Sequence, residues 1–258
     1  MALTALTREV NVAMSECELT FLSRSSINVD IAIQQHKQYQ SELSEAGCDV
    51  LSVSTEPGLA DSVFIEDTAL VLDDLAVLCR PGADSRRAEV TGVESVLRKF
   101  RRLESIQEPG TLDGGDLLVV GKVIFAGLST RSNSSGIDQL RNIVSDYGFS
   151  VVPVETTKCL HLKSAVSVIS PGVLLMNPDW IQRSIFKDYE LLAVDESEAH
   201  AANALPVGDK VIYPNNFPRT ADMLSAREID VAFVDVSELQ KAEGAVTCCS
   251  LIVEVASG

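Results

Sequence analysis

Residues 112–133 read LDGGDLLVVGKVIFAGLSTRSN. Residues 117–120 are an apolar run, residues 123–126 are a second one, and Gly121-Lys122 joins them. A short connection of this kind between two apolar runs is a hairpin signal. Polar residues follow, and then Ile137, Leu140, Ile143, Val144 and Tyr147 recur at the spacing of an amphipathic helix. The unit is therefore strand, tight turn, strand, helix.

Working outward, the same unit recurs. Residues 68–72 and 75–79 flank Asp73-Asp74. Residues 165–169 and 173–176 flank Ser170-Pro171-Gly172, and residues 205–207 and 210–213 flank Gly208-Asp209. A fifth copy is expected to be split, a C-terminal strand at 250–255 pairing with an N-terminal strand near 8–13. Copies begin at 68, 117, 165 and 204, in steps of 49, 48 and 39 residues, which marks an internal repeat. Ala88, Val90, Val93, Val96, Leu97 and Phe100 again approximate helical spacing. Asp30 is expected to cap a helix over 31–46, and Asp84 or Ser85 the next helix. No Pro/Gly/Ser linker or low-complexity tract interrupts the chain. The pattern predicts one α/β domain, residues 1–258, of about five ββα-type units around a pseudo-symmetry axis. A doubly wound parallel sheet is disfavoured, because tight hairpins make antiparallel pairs and parallel strands need crossovers.

Composition narrows the function. The chain has 258 residues with 46% apolar residues, enough for a sizeable core. No apolar run approaches the roughly 18 residues of a membrane helix. The first residues, MALTALTREVNVAMSECE, lack the basic start and apolar block of a signal peptide, so a cytoplasmic protein is expected. Its net charge of −16 repels phosphates, which makes nucleic acid and anionic membranes poor partners and leaves room for a small cationic substrate. There are six cysteines without a C-x-x-C pair and only His36, His161 and His200, a poor set for a structural zinc site.

Five segments carry charge or nucleophiles where a solvated face does not require them. Asp61 to Asp67, DSVFIED, is either a turn and cap or an anionic pocket for a cation. Asp113-Gly114-Gly115-Asp116 is either a turn or a close backbone approach with acids that orient a base. His161, in CLHLKS, is either a satisfied core histidine or a general acid/base. The small-residue loop before Cys248-Cys249 delivers a thiol to the last strand, and alternation puts the two cysteines on opposite faces. Arg86 and Arg131 each follow the second strand of a unit, where a pair of guanidinium forks would clamp a carboxylate. Together these groups suit a zwitterionic amino acid with a cationic side chain.

The strings FIEDTALV, RPGADSRRAEV, TLDGGDLL, FAGLSTRSN, LHLKSAVS and EGAVTCCS, in this order, resemble dimethylarginine dimethylaminohydrolases. These belong to the guanidino-group-modifying, or pentein, superfamily. The resemblance spans nearly the whole chain and implies a five-bladed pseudo-symmetric α/β propeller. It implies hydrolysis of Nω-methylated arginine to citrulline and dimethylamine through a covalent cysteine S-alkylthiouronium, with no cofactor and no metal. Carried over residue by residue, Cys248 is the nucleophile, His161 the acid/base and Asp113 the partner of His161. Glu66 and Asp67 would hold the guanidinium. Asp61 and backbone at Leu19 would meet the α-amino group, and Arg86 and Arg131 the carboxylate. Backbone near Ala242-Glu243 would border the side-chain pocket. Bacterial relatives are often dimers, which makes a homodimer one candidate and leaves the oligomeric state open. The loop at 18–28, ELTFLSRSSIN, departs from the family in lacking the glycine-rich character of a mobile lid.

Two rivals remain. An arginine deiminase would use the same Cys, His and acid but release ammonia, and such enzymes are typically longer, with an inserted helical domain. A ribosome-associated propeller gives no reason for Cys, His and Asp to stand together at matching motif positions, and its RNA would meet the −16 charge.

Overall fold

The computed structural model describes residues 2–54 and 57–255. These residues form five three-stranded sheets, each with the same plan. The first two strands pair antiparallel, as a hairpin in four of the sheets, and the third lies parallel to the second. The strands are β1 (Ala2–Thr7) and β2 (Cys48–Ser52), then β3 (Ala69–Val71), β4 (Leu75–Leu78) and β5 (Arg102–Ser105). Next come β6 (Leu117–Val120), β7 (Val123–Leu128) and β8 (Ser150–Glu155), and β9 (Val166–Ser170), β10 (Val173–Met176) and β11 (Glu190–Ala193). The last are β12 (Leu205–Val207), β13 (Lys210–Pro214) and β14 (Asp230–Val234), and finally β15 (Leu251–Val255). β15 pairs antiparallel with β1, Leu6 opposite Leu251, so the last strand closes the ring on the first. The protein is a five-bladed α/β propeller.

A parallel third strand requires a crossover. The crossovers are α1 (Val29–Glu45), α2 (Glu89–Leu97), α3 (Ser134–Ser145), a 3₁₀ turn at Arg183–Phe186, and, after the short α4 (Leu162–Ala165), α5 (Pro218–Ser225). A further short helix, α6 (Ser237–Gln240), follows β14. α1 buries Ala32, His36, Tyr39 and Leu43, one face at three- and four-residue spacing. The core is divided into five apolar clusters, each shared by two neighbouring blades. Val93 and Leu97 of α2, for example, are fully buried between the blade of β3–β5 and the blade of β15–β1. Burying each such side chain stabilises the fold by roughly 1.5–3 kcal/mol. Among the described residues no helix is long and apolar enough to cross a membrane.

Three local expectations change. The N-terminal strand occupies residues 2–7, not the neighbourhood of 8–13. The reason is Asn11, whose side chain accepts the Ala13 amide at 3.0 Å and turns the chain into a 3₁₀ segment. α1 starts earlier and is capped by Asn28, which accepts Ile31 N–H at 3.1 Å; Asp30 is an acid in its first turn. Asp84 and Ser85 belong to a separate one-turn helix, Asp84–Arg86, and α2 begins without a side-chain cap.

The feature that positions chemistry is the approach to each blade. One-turn helices lead into β3 (Ile65–Thr68), β6 (Gly114–Asp116), β9 (α4) and β15 (Thr247–Cys249). A turn at residues 199–202 leads into β12. Ring geometry brings these lead-in turns together at one end of the axis, and the first, second and last of them are in mutual contact through Ile65–Thr68.

Candidate active site

The lead-in turn at Ile65–Thr68 buries both its acids. Asp67 accepts from Arg86 Nη1 at 2.6 Å and from the Gly115 amide at 2.9 Å, and His161 Nδ1 stands 3.7 Å away. Burial pushes this carboxyl up, but the His161 and Arg86 charges outweigh it and bring it down to about 2. Glu66 accepts from Lys163 Nζ at 2.5 Å and from the Thr247 hydroxyl at 2.9 Å. Its carboxyl is raised by burial, against the pull of Lys163.

The second lead-in turn supplies the partner of the histidine. Asp113 Oδ2 lies 3.1 Å from His161 Nε2, while Oδ1 accepts the Gly82 amide at 2.8 Å. Asp116, at the other end of this turn, accepts from the Ser129 and Ser132 hydroxyls, both at 2.6 Å, and from the Leu162 amide at 2.9 Å. It thereby fixes the backbone just after His161. Burial raises Asp116 to about 6, opposed mainly by the His161 charge. His161 itself precedes α4 and is buried. Burial lowers its pKa, but the Asp67 charge, the Asp113 hydrogen bond and Asp116 prevail and hold it at about 9. At neutral pH it is an imidazolium between two carboxylates.

The fifth lead-in turn supplies sulfur. Cys248 is half-buried, whereas Cys249 is fully buried in the apolar cluster under α1, with Sγ 3.4 Å from the Ala245 carbonyl. Burial pushes the Cys248 thiol up to about 12, and the Glu66 and Asp67 charges add to this. The thiol and the imidazolium therefore share one carboxylate neighbour, Asp67. The fourth lead-in segment contributes Asn203, which donates to Thr247 Oγ1 at 2.9 Å and accepts the Thr247 amide at 3.1 Å.

Binding candidates divide. Asp61 is buried and accepts the Glu18 amide at 3.1 and 3.3 Å, so the backbone group it meets precedes Leu19 by one residue. Leu19 packs its side chain against the cluster under α1. Ala242 is buried in that cluster, which leaves its backbone for any contact with a substrate. Arg131 is buried, and its Nη2 donates to Thr20 Oγ1 at 3.2 Å beside Asp61. Arg86 has several partners within the protein. Its Nε and Nη2 hold Glu89 at 3.2 and 2.9 Å, Nη1 holds Asp67, and Nη2 also reaches the Phe64 carbonyl at 2.9 Å. All three nitrogens are engaged within the protein, and Arg86 orients Asp67.

Three partners escaped the sequence: Lys163 for Glu66, Glu89 for Arg86 and Asn203 for Thr247. The first two lay in quoted strings and carried the right charge; Asn203 had no signal. One ligand atom from each of Asp67, Asp113 and His161 lies within 4.8 Å of the others. A metal there would have to displace the Arg86 and Gly115 donors and the imidazole proton. The arrangement suits covalent attack by sulfur on a cationic, planar carbon, with a proton donor beside it.

Known proteins resemble this chain over nearly its whole length. A family model described as N,N dimethylarginine dimethylhydrolase, eukaryotic, matches residues 11–255. A Streptomyces coelicolor N(G),N(G)-dimethylarginine dimethylaminohydrolase is 36% identical over 96% of this chain and 95% of its own. The Pseudomonas aeruginosa protein of that name is 34% identical over 85% and 87%. The solved structure of that enzyme, as a serine-substituted variant complexed with citrulline, superposes with a TM-score of 0.93 at 30% identity, covering 98% of this chain and 100% of that one. A dimethylarginine dimethylaminohydrolase with its histidine replaced, in an adduct with S-methyl-L-thiocitrulline, has a TM-score of 0.93 at 31% identity, with the same coverage.

Proposed function

The chain belongs to the dimethylarginine dimethylaminohydrolase family, and on that premise we propose how its own residues hydrolyse Nω-methylated arginine. The observation that carries the proposal is the convergence of three lead-in turns: a half-buried thiol and a buried imidazolium, with Asp67 acting on both. The substrate is a small cationic amino acid. Its guanidinium enters beside Asp67 and Glu66, Arg131 meets its carboxylate, and Asp61 its α-amino group.

In the resting enzyme Cys248 is a thiol and His161 is charged, since their pKa values are about 12 and about 9. A bound guanidinium sets a positive charge against the sulfur and offsets the carboxylates that hold the proton on it. The thiol then releases its proton to solvent, and the thiolate attacks the central carbon. His161 gives its proton to the dimethylamino nitrogen, the C–N bond breaks, and dimethylamine leaves. An S-alkylthiouronium stays on Cys248. Neutral His161 takes a proton from water, whose oxygen bonds to the carbon. The C–S bond breaks as the carbonyl forms, the hydroxyl proton passes to the sulfur, and citrulline departs with the Cys248 thiol and the His161 imidazolium restored. Asp113 keeps the ring oriented so that Nδ1 faces Asp67 and the substrate throughout.

Purified protein is to be given arginine, monomethylarginine and dimethylarginine, with citrulline and the released amine measured. Citrulline with dimethylamine is expected, and none from Cys248→Ser. Full turnover by that variant, or ammonia released from arginine as the preferred reaction, would overturn the proposal.

A further inference from the structure

We infer that Glu243 is the latch of a lid formed by the N-terminal arm, its carboxylate gathering the backbone amides of Thr20, Phe21 and Leu22 over the active site. The Thr20 amide donates to Oε2 at 2.9 Å, and the Phe21 and Leu22 amides to Oε1 at 2.5 Å each. Three successive amides turned to one side form an anion-binding concavity. Here its anion comes from a residue more than two hundred positions away in sequence.

The wall that presents this carboxylate is stiff. Ala242 is locked into the core, and a Cβ at Gly244 would fall 2.1 Å from the Phe64 ring. Glu243 itself has φ +60°, a left-handed conformation that favours glycine. A glycine would serve the turn after α6; a glutamate there brings a side chain whose contacts are those of the arm.

The arm has the other marks of a lid. Its base is stapled by Arg24, which donates to the Ser15 and Cys17 carbonyls at 2.5 and 2.6 Å. Its middle meets two groups of the proposed substrate site, Asp61 through the Glu18 amide and Arg131 through Thr20 Oγ1. Its tip exposes Phe21 and Leu22, which roof a cavity of about 320 Å³ also lined by Trp180, Phe217 and Glu243. The arm lacks glycine, so it moves as a stiff strap pivoting on its base, and the carboxylate decides whether it lies down. Glu243 is thus a positioning residue, and what lies beneath the lid rests on the function proposed above.

The test compares the parent with E243Q and E243G. Glycine suits the left-handed turn, so E243G removes the carboxylate and retains the fold, checked by circular dichroism. Hydrogen exchange of residues 18–25 is measured without substrate, and steady-state kinetics with dimethylarginine. Expected are amide exchange at Thr20–Leu22 at least tenfold faster in E243G and intermediate in E243Q, and KM about tenfold higher with kcat within twofold. Unchanged exchange in E243G overturns the latch. Faster exchange with KM unmoved overturns the arm as a lid over the substrate. If the parent turns over no methylated arginine, the exchange result still decides the latch, and the failure falls on the proposed function alone.

Discussion

The two ends of each blade use glycine and charge in opposite ways. At the hairpin end, Gly121, Gly172 and Gly208 have φ of +59°, +77° and +57°, with open space or ordinary contact where a Cβ would go. Their use is conformational. At the lead-in end, Gly114 and Gly115 have ordinary backbone angles, but a Cβ would lie 2.0 Å from the Glu66 carbonyl and 2.6 Å from His161 Nδ1. Their use is spatial. Charges differ likewise: Asp73, Asp74, Lys122 and Asp209 are exposed at hairpins, while Glu66, Asp67, Asp113, Asp116 and His161 are buried at lead-in turns. A buried ion is costly alone and tolerable when paired. The lead-in end is therefore a network that stands or falls by partners, and the hairpin end is a set of independent turns.

Removing one partner breaks that comparison most severely. Arg86 holds Asp67 and Glu89, both buried. Arg86→Ala takes the guanidinium from two buried carboxylates, leaving Asp67 only His161 and the Gly115 amide, and should cost about 3–5 kcal/mol of stability, measured by denaturant unfolding. It should lower kcat as well, because Asp67 loses its orientation. A stable variant with only a raised KM would return Arg86 to the substrate carboxylate.

The next test uses pH. His161 is held at about 9 in the folded chain, against an ordinary value of 6.5. The folded state prefers the imidazolium, so this contribution is whole below pH 6.5 and lost as pH rises through 9. Stability should fall by roughly 3 kcal/mol across that window. His161→Ala should flatten the slope. An equal slope in the variant would mean that the carboxylates around the ring do not act as a unit.

Gly115→Ala probes space rather than charge. The new methyl would occupy the side of the ring from which Nδ1 serves the substrate, 2.8 Å from Asp67 Oδ1. Turnover should drop at least about a hundredfold, the scale of an ångström-sized misplacement in an active site. Turnover at the parent rate would show that Nδ1 is not the working nitrogen.

How much of this was written in the sequence follows the same division. Hairpins are local, so four of the five were legible to within a residue or two from Asp73-Asp74, Gly121-Lys122, Pro171-Gly172 and Gly208-Asp209. The fifth required pairing across the whole chain, and the N-terminal strand was misplaced because the side chain of Asn11 ends it early. The site was legible as motif strings: His161 lies against Asp113 and Asp67, and Glu66 and Asp67 act on Cys248. The direction of Arg86 was not legible, because whether an arginine points at a ligand or at a neighbouring acid depends on a single turn of 3₁₀ helix. What the Glu243 side chain holds was hidden for a related reason. Its partners are backbone amides, which carry no side-chain signature.

The mildest test lies at the hairpin end. Gly121→Ala places a methyl in open space, so no atom is displaced, and the only penalty is the left-handed backbone at φ +59°. That should cost about 1 kcal/mol of stability. The position is solvated and lies beyond β6, away from the lead-in turn that carries Asp113 and Asp116. Strand register is held by β6 and β7 on either side of the turn, with Leu117 opposite Ala126, so the strain stays local. Turnover measured beside denaturant unfolding should therefore show a shifted midpoint and a parent-like kcat. A substantial loss of kcat would mean that the two ends of the blade are coupled through the strands, and the separation drawn between them would fail.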